Sequence, residues 1–189
     1  MLIRILVFLL DTAFFLLIAA ALLRAWMNWV RVSMYAQPGS FVMALTDWLV
    51  KPLRRVLPKR LMQSRVDWAS VLAAALLSLI YALLWGVLFG VLLQAEYWTP
   101  GLAPTALLML LVFSLKMLVR VTLQTLFVLV LGYAILSWVQ PGSAVYILLG
   151  RLTEPLLTPL RRIIPSLGGV DLSALVLLVL LQVGMMLLA

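Results

Sequence analysis

Four long apolar runs, separated by two stretches crowded with arginine and proline, set the pattern of this chain. A bilayer core of about 30 Å is crossed by about 20 apolar residues in a helix. Residues 5–23, 68–93, 121–139 and 172–189 meet that requirement, the last barely, and 68–93 holds no charge. Residues 102–115 are also apolar, but the run is short before Lys116 and Arg120. Its length suits a re-entrant or interfacial helix better than a span. Fused with the third run, it would make one long, tilted helix. Positions 41, 42, 45, 48, 49 and 53 are apolar, which is helical spacing with a single apolar face. That predicts a short helix lying in the interface. Pro52 and Pro58 bracket Arg54 and Arg55 and are expected to stop a helix from running through the pair.

Arg4, the apolar run after it and Ala19-Ala20-Ala21 have the look of a signal peptide. The run is long for one and contains Asp11, so a retained first span is expected. Orientation follows from lysine and arginine, which gather on the cytoplasmic side. Between the first and second spans lie Arg24, Arg31, Lys51, Arg54, Arg55, Lys59, Arg60 and Arg65. Between the third and fourth lie Arg151, Arg161 and Arg162, while only Arg4, Lys116 and Arg120 fall on the other side. Four spans therefore put both basic loops inside and both termini outside.

The two basic loops are copies of one another. Gln37-Pro38-Gly39-Ser40 recurs as Gln140-Pro141-Gly142-Ser143. The segment Thr46-Asp47-Trp48-Leu49-Val50-Lys51-Pro52-Leu53-Arg54-Arg55-Val56-Leu57-Pro58 recurs from Thr153 to Pro165, identical at seven of thirteen positions. Val66-Asp67 recurs as Val170-Asp171, each at the start of a span. Self-similarity in this order marks an internal repeat. Two spans return the chain to its starting side, so the repeats are expected to be parallel, related by an axis along the membrane normal. The expected fold is all-α, with four transmembrane helices as two span-loop-span repeats, residues 1–100 and 101–189, and interfacial or re-entrant helices in the basic loops.

Composition strengthens the membrane reading. Hydrophobic residues make up 66% of 189, against about half in soluble domains. A net charge of +8 then reads as basic loops facing an anionic leaflet rather than as a nucleic-acid surface. Neither cysteine nor histidine occurs. Disulfides, thiolate nucleophiles, ordinary zinc sites and the commonest general base are thereby removed. No cofactor, metal or catalytic residue is expected, and enzymatic function is not.

The candidate sites follow from charge in or beside lipid. Arg54, Arg55, Arg161 and Arg162 fall at headgroup level, and guanidinium groups bond phosphate through paired donors. They are read as a lipid- or partner-binding site, against the plainer reading of topology signals and surface anchors. Asp67 and Asp171 are expected to cap the helices they precede. An ion pair with the arginines of the same repeat, or a proton or cation site, are the alternatives. Asp11 lies inside a span, where charge is costly. Its readings are an ion pair with Arg120, Lys116 or the N-terminal amine, snorkelling to the outer interface, or an ion pathway. Ser70, Ala74, Ser78, Ala82, Gly86 and Gly90 recur at every fourth place, a stripe that lets helix backbones approach closely. Trp26, Trp29, Trp48, Trp68, Trp98 and Trp138 fall near span ends, as an interfacial belt does.

The repeated Thr-[Asp/Glu]-x-Leu-x-x-Pro-Leu-Arg-Arg-x-x-Pro followed by Val-Asp resembles the YggT/YlmG family of bacterial inner-membrane and plastid proteins. Ile135-Leu136-Ser137-Trp138 and Gly168-Gly169-Val170-Asp171-Leu172-Ser173 look like the same pattern. The first copy departs from it, with Trp48 where the second has Pro155, and Arg60 to Arg65 where the second has a glycine turn. The resemblance implies roles in osmotic tolerance and ion homeostasis, in cell division or nucleoid arrangement, or in plastid cytochrome maturation, with no catalytic residues to carry over. The expected function is a non-enzymatic scaffold or assembly factor in the bacterial inner membrane. Its basic loops would engage membrane lipids or a membrane-protein partner, with a second copy as another candidate partner and no nucleic acid. The alternative is an ion transporter or channel subunit linked to osmotic adaptation, which would require Asp11, Gln124 and Gln182 to converge on one buried polar track.

Overall fold

The computed structural model describes residues 1–35, 38–58, 61, 64–92, 104–163 and 171–188. Six helices make up the described fold: α1 (Leu2–Val30), α2 (Gly39–Val56), α3 (Trp68–Leu92), α4 (Pro104–Val139), α5 (Ala144–Arg161) and α6 (Leu172–Leu187). No strand occurs among the described residues. Three helices contain stretches long and apolar enough to cross a membrane, Ile3–Val30, Trp68–Leu88 and Ala106–Val139. The fourth apolar helix, α6, has 16 residues and is about 24 Å long.

Each half runs long helix, amphipathic helix, apolar helix, and the three pack against one another: α1 with α2 and α3, and α4 with α5 and α6. The first core gathers Ile18, Ala21, Val50, Ala73, Ala74 and Leu77. The second gathers Val130, Tyr133, Leu157, Ala174, Leu177 and Leu181. Helix α4 joins them by packing on α1 and α3 and contributing Val121 to the first core. The stripe on α3 turns inward. Ser70, Ala74, Ser78, Ala82 and Gly86 are buried, which places the row in a helix–helix contact. The surroundings of Gly90 lie outside the described residues, as do Trp98, Lys59, Arg60, Pro165, Val170 and the glycine turn.

Several boundaries differ from the expected ones. Residues 104–115 are the first turns of α4, a continuous helix of 36 residues, about 54 Å long. The absence of any helix breaker between Thr105 and Leu131 explains why the chain does not re-enter. Helix α1 reaches Val30, so Arg24 stands inside it rather than in a loop. Pro52 does not stop α2, which continues to Val56; α5 likewise carries Pro155 and Pro159. A proline removes one donor and crowds the carbonyl four residues back. For Pro52 that carbonyl belongs to Trp48, and both residues lie on the exposed face, where an orphaned carbonyl costs least.

Both amphipathic helices lie at one end of the bundle. In α2 Val42, Thr46 and Val50 are buried at helical spacing; in α5 Leu152, Thr153 and Leu157 are. The two threonines settle their hydroxyls in the same way, donating to Val42 O at 2.7 Å and Leu149 O at 2.8 Å. Trp26, near the end of α1, donates its indole N–H to Leu152 O at 2.9 Å, so a residue read as interfacial belt also ties the halves together.

Candidate functional site

In each half an arginine at the end of the amphipathic helix meets the aspartate that opens the next apolar helix. Arg54 Nη2 lies 2.7 Å from Asp67 Oδ2. Arg161 reaches Asp171 Oδ2 through Nη2 and also through Nε at 2.9 Å. The helix places these arginines well, because cations in a last turn complement the negative end of its dipole. Of each arginine pair, therefore, the first is held by an aspartate. The second is not: Arg55 and Arg162 are exposed and form no ion pair among the described residues. The four arginines grouped as one binding site divide into two locks and two free cations.

Asp171 performs both roles weighed for it. Its Oδ1 accepts from Ser173 N at 3.1 Å, capping α6, while Oδ2 takes Arg161. Burial pushes its carboxyl up, but the hydrogen bond and charge of Arg161 outweigh this and hold it below the usual carboxylate range. The same bond raises Arg161 against the desolvation that would lower it. Tyr133 completes this site, accepting from Arg161 Nη2 at 3.0 Å and stacking on Tyr146.

The first half has a larger and deeper cluster. Asp67 Oδ2 accepts from Arg54 and from Ser70 Oγ at 2.8 Å, and Arg24 Nε stands 4.0 Å away. Arg24 itself is buried, its Nη1 donating to Thr46 Oγ1 at 2.7 Å and Asp47 Oδ1 at 2.8 Å. Lys51 closes the set at 2.8 Å from Asp47 Oδ2. Hydrogen bonding by Lys51 holds the Asp47 carboxyl low against its partial burial, with Arg24 adding to the effect. Sequence reasoning placed Arg24 among loop cations and assigned no role to Thr46 or Asp47. The signal available was the repeated Thr-acid pair, whose Thr46 sits on the buried face of α2, one turn before the buried Val50. The copies are not equivalent: the Asp67 side chain is 6% exposed and that of Asp171 24%.

The remaining polar residues do not form one track. Asp11 Oδ1 accepts from Tyr81 Oη at 2.8 Å, and among the described residues neither Lys116 nor Arg120 comes within ion-pair distance of it. Gln124 and Gln182 line a cavity of about 450 Å³ with Arg120, and Asp11 does not. Among the described residues no cluster of acids could hold a metal ion.

These features define a protein that is helical among the described residues, with three helices long and apolar enough to cross a membrane and two halves that repeat one arginine–aspartate lock. The CCB3/YggT family model matches residues 3–88 and 103–189, and the chain belongs to that family. It is 36% identical to the Escherichia coli (strain K12) protein named "Uncharacterized protein YggT" over 94% of this chain and 86% of that one. A Vibrio alginolyticus relative, "Uncharacterized protein in proC 3'region", is 34% identical over 93% and 88%. Pseudomonas aeruginosa "Uncharacterized protein PA0392" is 34% identical over 88% and 79%. No solved structure matches the chain.

Proposed function

We propose that this chain is a non-enzymatic scaffold of the bacterial inner membrane, crossing it four times as two parallel repeats. Its basic ends face the cytoplasm, its termini lie outside, and Arg55 and Arg162 engage anionic headgroups. The observation that carries this reading is the division within each arginine pair. Arg54 and Arg161 are spent on fixing the amphipathic helix to the next apolar helix, which leaves their neighbours exposed at the same level. A guanidinium held on a fixed helix end loses less freedom on bonding phosphate than one on a loose loop. Anionic lipid contributes about 1 kcal/mol per nearby cation.

The test separates the two kinds of arginine. Replacing Arg55 and Arg162 together by Gln is expected to weaken a lipid-dependent interaction of the purified protein, read as binding of detergent-solubilised chain to liposomes rich in phosphatidylglycerol, with unchanged thermal stability. Replacing Arg54 and Arg161 should lower stability. Undiminished binding by the Arg55/Arg162 variant would remove the headgroup role.

A further inference from the structure

We infer that the cleft between α1, α4 and α6 is a second lipid site, in the leaflet opposite the basic loops, where Arg120 holds the phosphate of a phospholipid. The two halves differ along one helix face. Counting from the aspartate that opens each helix, the α3 positions Ser70, Ala74, Ser78 and Ala82 correspond on α6 to Ala174, Leu178, Gln182 and Met186. Within each repeat the closing helix packs on the long one, α3 on α1 and α6 on α4. Across the repeats, α1 and α6 do not pack along one another among the described residues, and the α6 side chains beside that gap are the longer, partly polar ones. The space left is the cavity of about 450 Å³, with Gln182 and Met186 on one wall and Arg120, Gln124 and Phe127 on another. Phe15 of α1 faces them.

Its chemistry is that of an amphiphile's neck. Arg120 and Gln124 are one helical turn apart, so their donors share a face. Gln182 brings a second amide from across the cleft. A guanidinium and two carboxamides match a phosphodiester and the ester carbonyls below it, and the phenylalanines and methionine suit the start of an acyl chain. Depth agrees. Arg120 lies about 20 Å along α4 from Tyr133, which marks the ionic layer. A long arginine stem adds reach toward the far headgroups. Arg120 is exposed and forms no ion pair among the described residues, although its charge reaches Tyr81, the donor to Asp11; a lipid phosphate supplies the direct counter-charge.

The experiment uses the delipidated full chain carrying Arg55→Gln and Arg162→Gln, which removes the proposed cytoplasmic-side headgroup contacts and keeps the two sites distinguishable. Phosphatidylglycerol is titrated in detergent and bound lipid is counted by native mass spectrometry. Retention of one lipid is expected, weakened about tenfold or more by Arg120→Gln and less by Arg120→Lys. Gln182→Leu, which removes the amide across the cleft without altering charge, should also weaken it and covers the case in which Arg120→Gln misfolds by circular dichroism. Diacylglycerol, which has no phosphate, should not be retained. Equal retention by the parent, Arg120→Gln and Gln182→Leu would overturn the site. Displacement by millimolar inorganic phosphate would overturn the lipid in favour of the free anion.

Discussion

Replacing Asp67 by Ala should cost far more than replacing Asp171 by Ala, although both aspartates stand in the same repeated motif. Asp67 is almost enclosed and serves Arg54 at 2.7 Å, Ser70 at 2.8 Å and the buried Arg24 at 4.0 Å. Without it, Arg24 keeps only Asp47 as an acid partner while remaining shut away from water. Breaking a buried pair from one side costs about 3–5 kcal/mol, because the penalty is an uncompensated charge. Asp171 is much more exposed, and its loss leaves Arg161 free to turn to solvent and Tyr133. About 1–2 kcal/mol is expected there, between the buried and surface values. For a chain of this size that translates to roughly 6–20 °C for Asp67→Ala and about 2–8 °C for Asp171→Ala, read by circular dichroism in one detergent. The double variant Arg24→Met with Asp67→Ala should recover part of the loss, since both charges are then gone. Equal shifts for the two aspartates, or no recovery in the double variant, would show that the buried ionic layer does not determine stability.

Two glycines at matching places in the repeats should fail for different reasons. A Cβ on Gly39 would stand 2.7 Å from Met34 Cα, against backbone that cannot yield, so Gly39→Ala should lose about 1–3 kcal/mol by overpacking. Gly142 has open space but a φ of 90°, so Gly142→Ala should lose about 1 kcal/mol through strain alone. Equal behaviour in thermal melts of alanine and serine variants would contradict this contrast. Acid should destabilise the ionic layers: Asp47 and Asp171 are held low, so their contribution is present above the ordinary carboxylate pKa of about 3.9 and is lost as pH falls through their lowered values. A melting temperature that does not fall between pH 5 and pH 2, or one that falls equally in an Asp47→Asn, Asp171→Asn variant, would refute it.

Hydrophobic pattern made the apolar helices and the first amphipathic helix legible, because lipid and interface impose spacings that residue types report directly, and the repeat implied the second amphipathic helix. The repeat was legible for the same reason that the locks exist: Arg54 and Asp67 recur together as Arg161 and Asp171. Pattern alone could not show which arginine of each pair an aspartate takes, since that depends on where α2 and α5 meet the next helix. Arg24 was misplaced because a charge among apolar residues reads as the end of a span. Thr46, Asp47 and Asp67 lie far from it in sequence and accommodate it only once folded. Pro52 misled because the rule against proline in helices assumes a carbonyl with nowhere else to turn.

The unequal lengths of the apolar helices give the molecule a perimeter of uneven height. Helix α6 presents a wall of about 24 Å, whereas α4 is about 54 Å long. A hydrocarbon layer of about 30 Å fits neither. In the proposed four-span arrangement the layer would thin along α6, and along α4 it would tilt the helix or leave its first turns above the surface, each ångström of mismatch costing a fraction of a kcal/mol. Such a body would act as a wedge in the bilayer. In that arrangement its energy would fall where the membrane is already thin, so that thickness itself would direct where the protein resides.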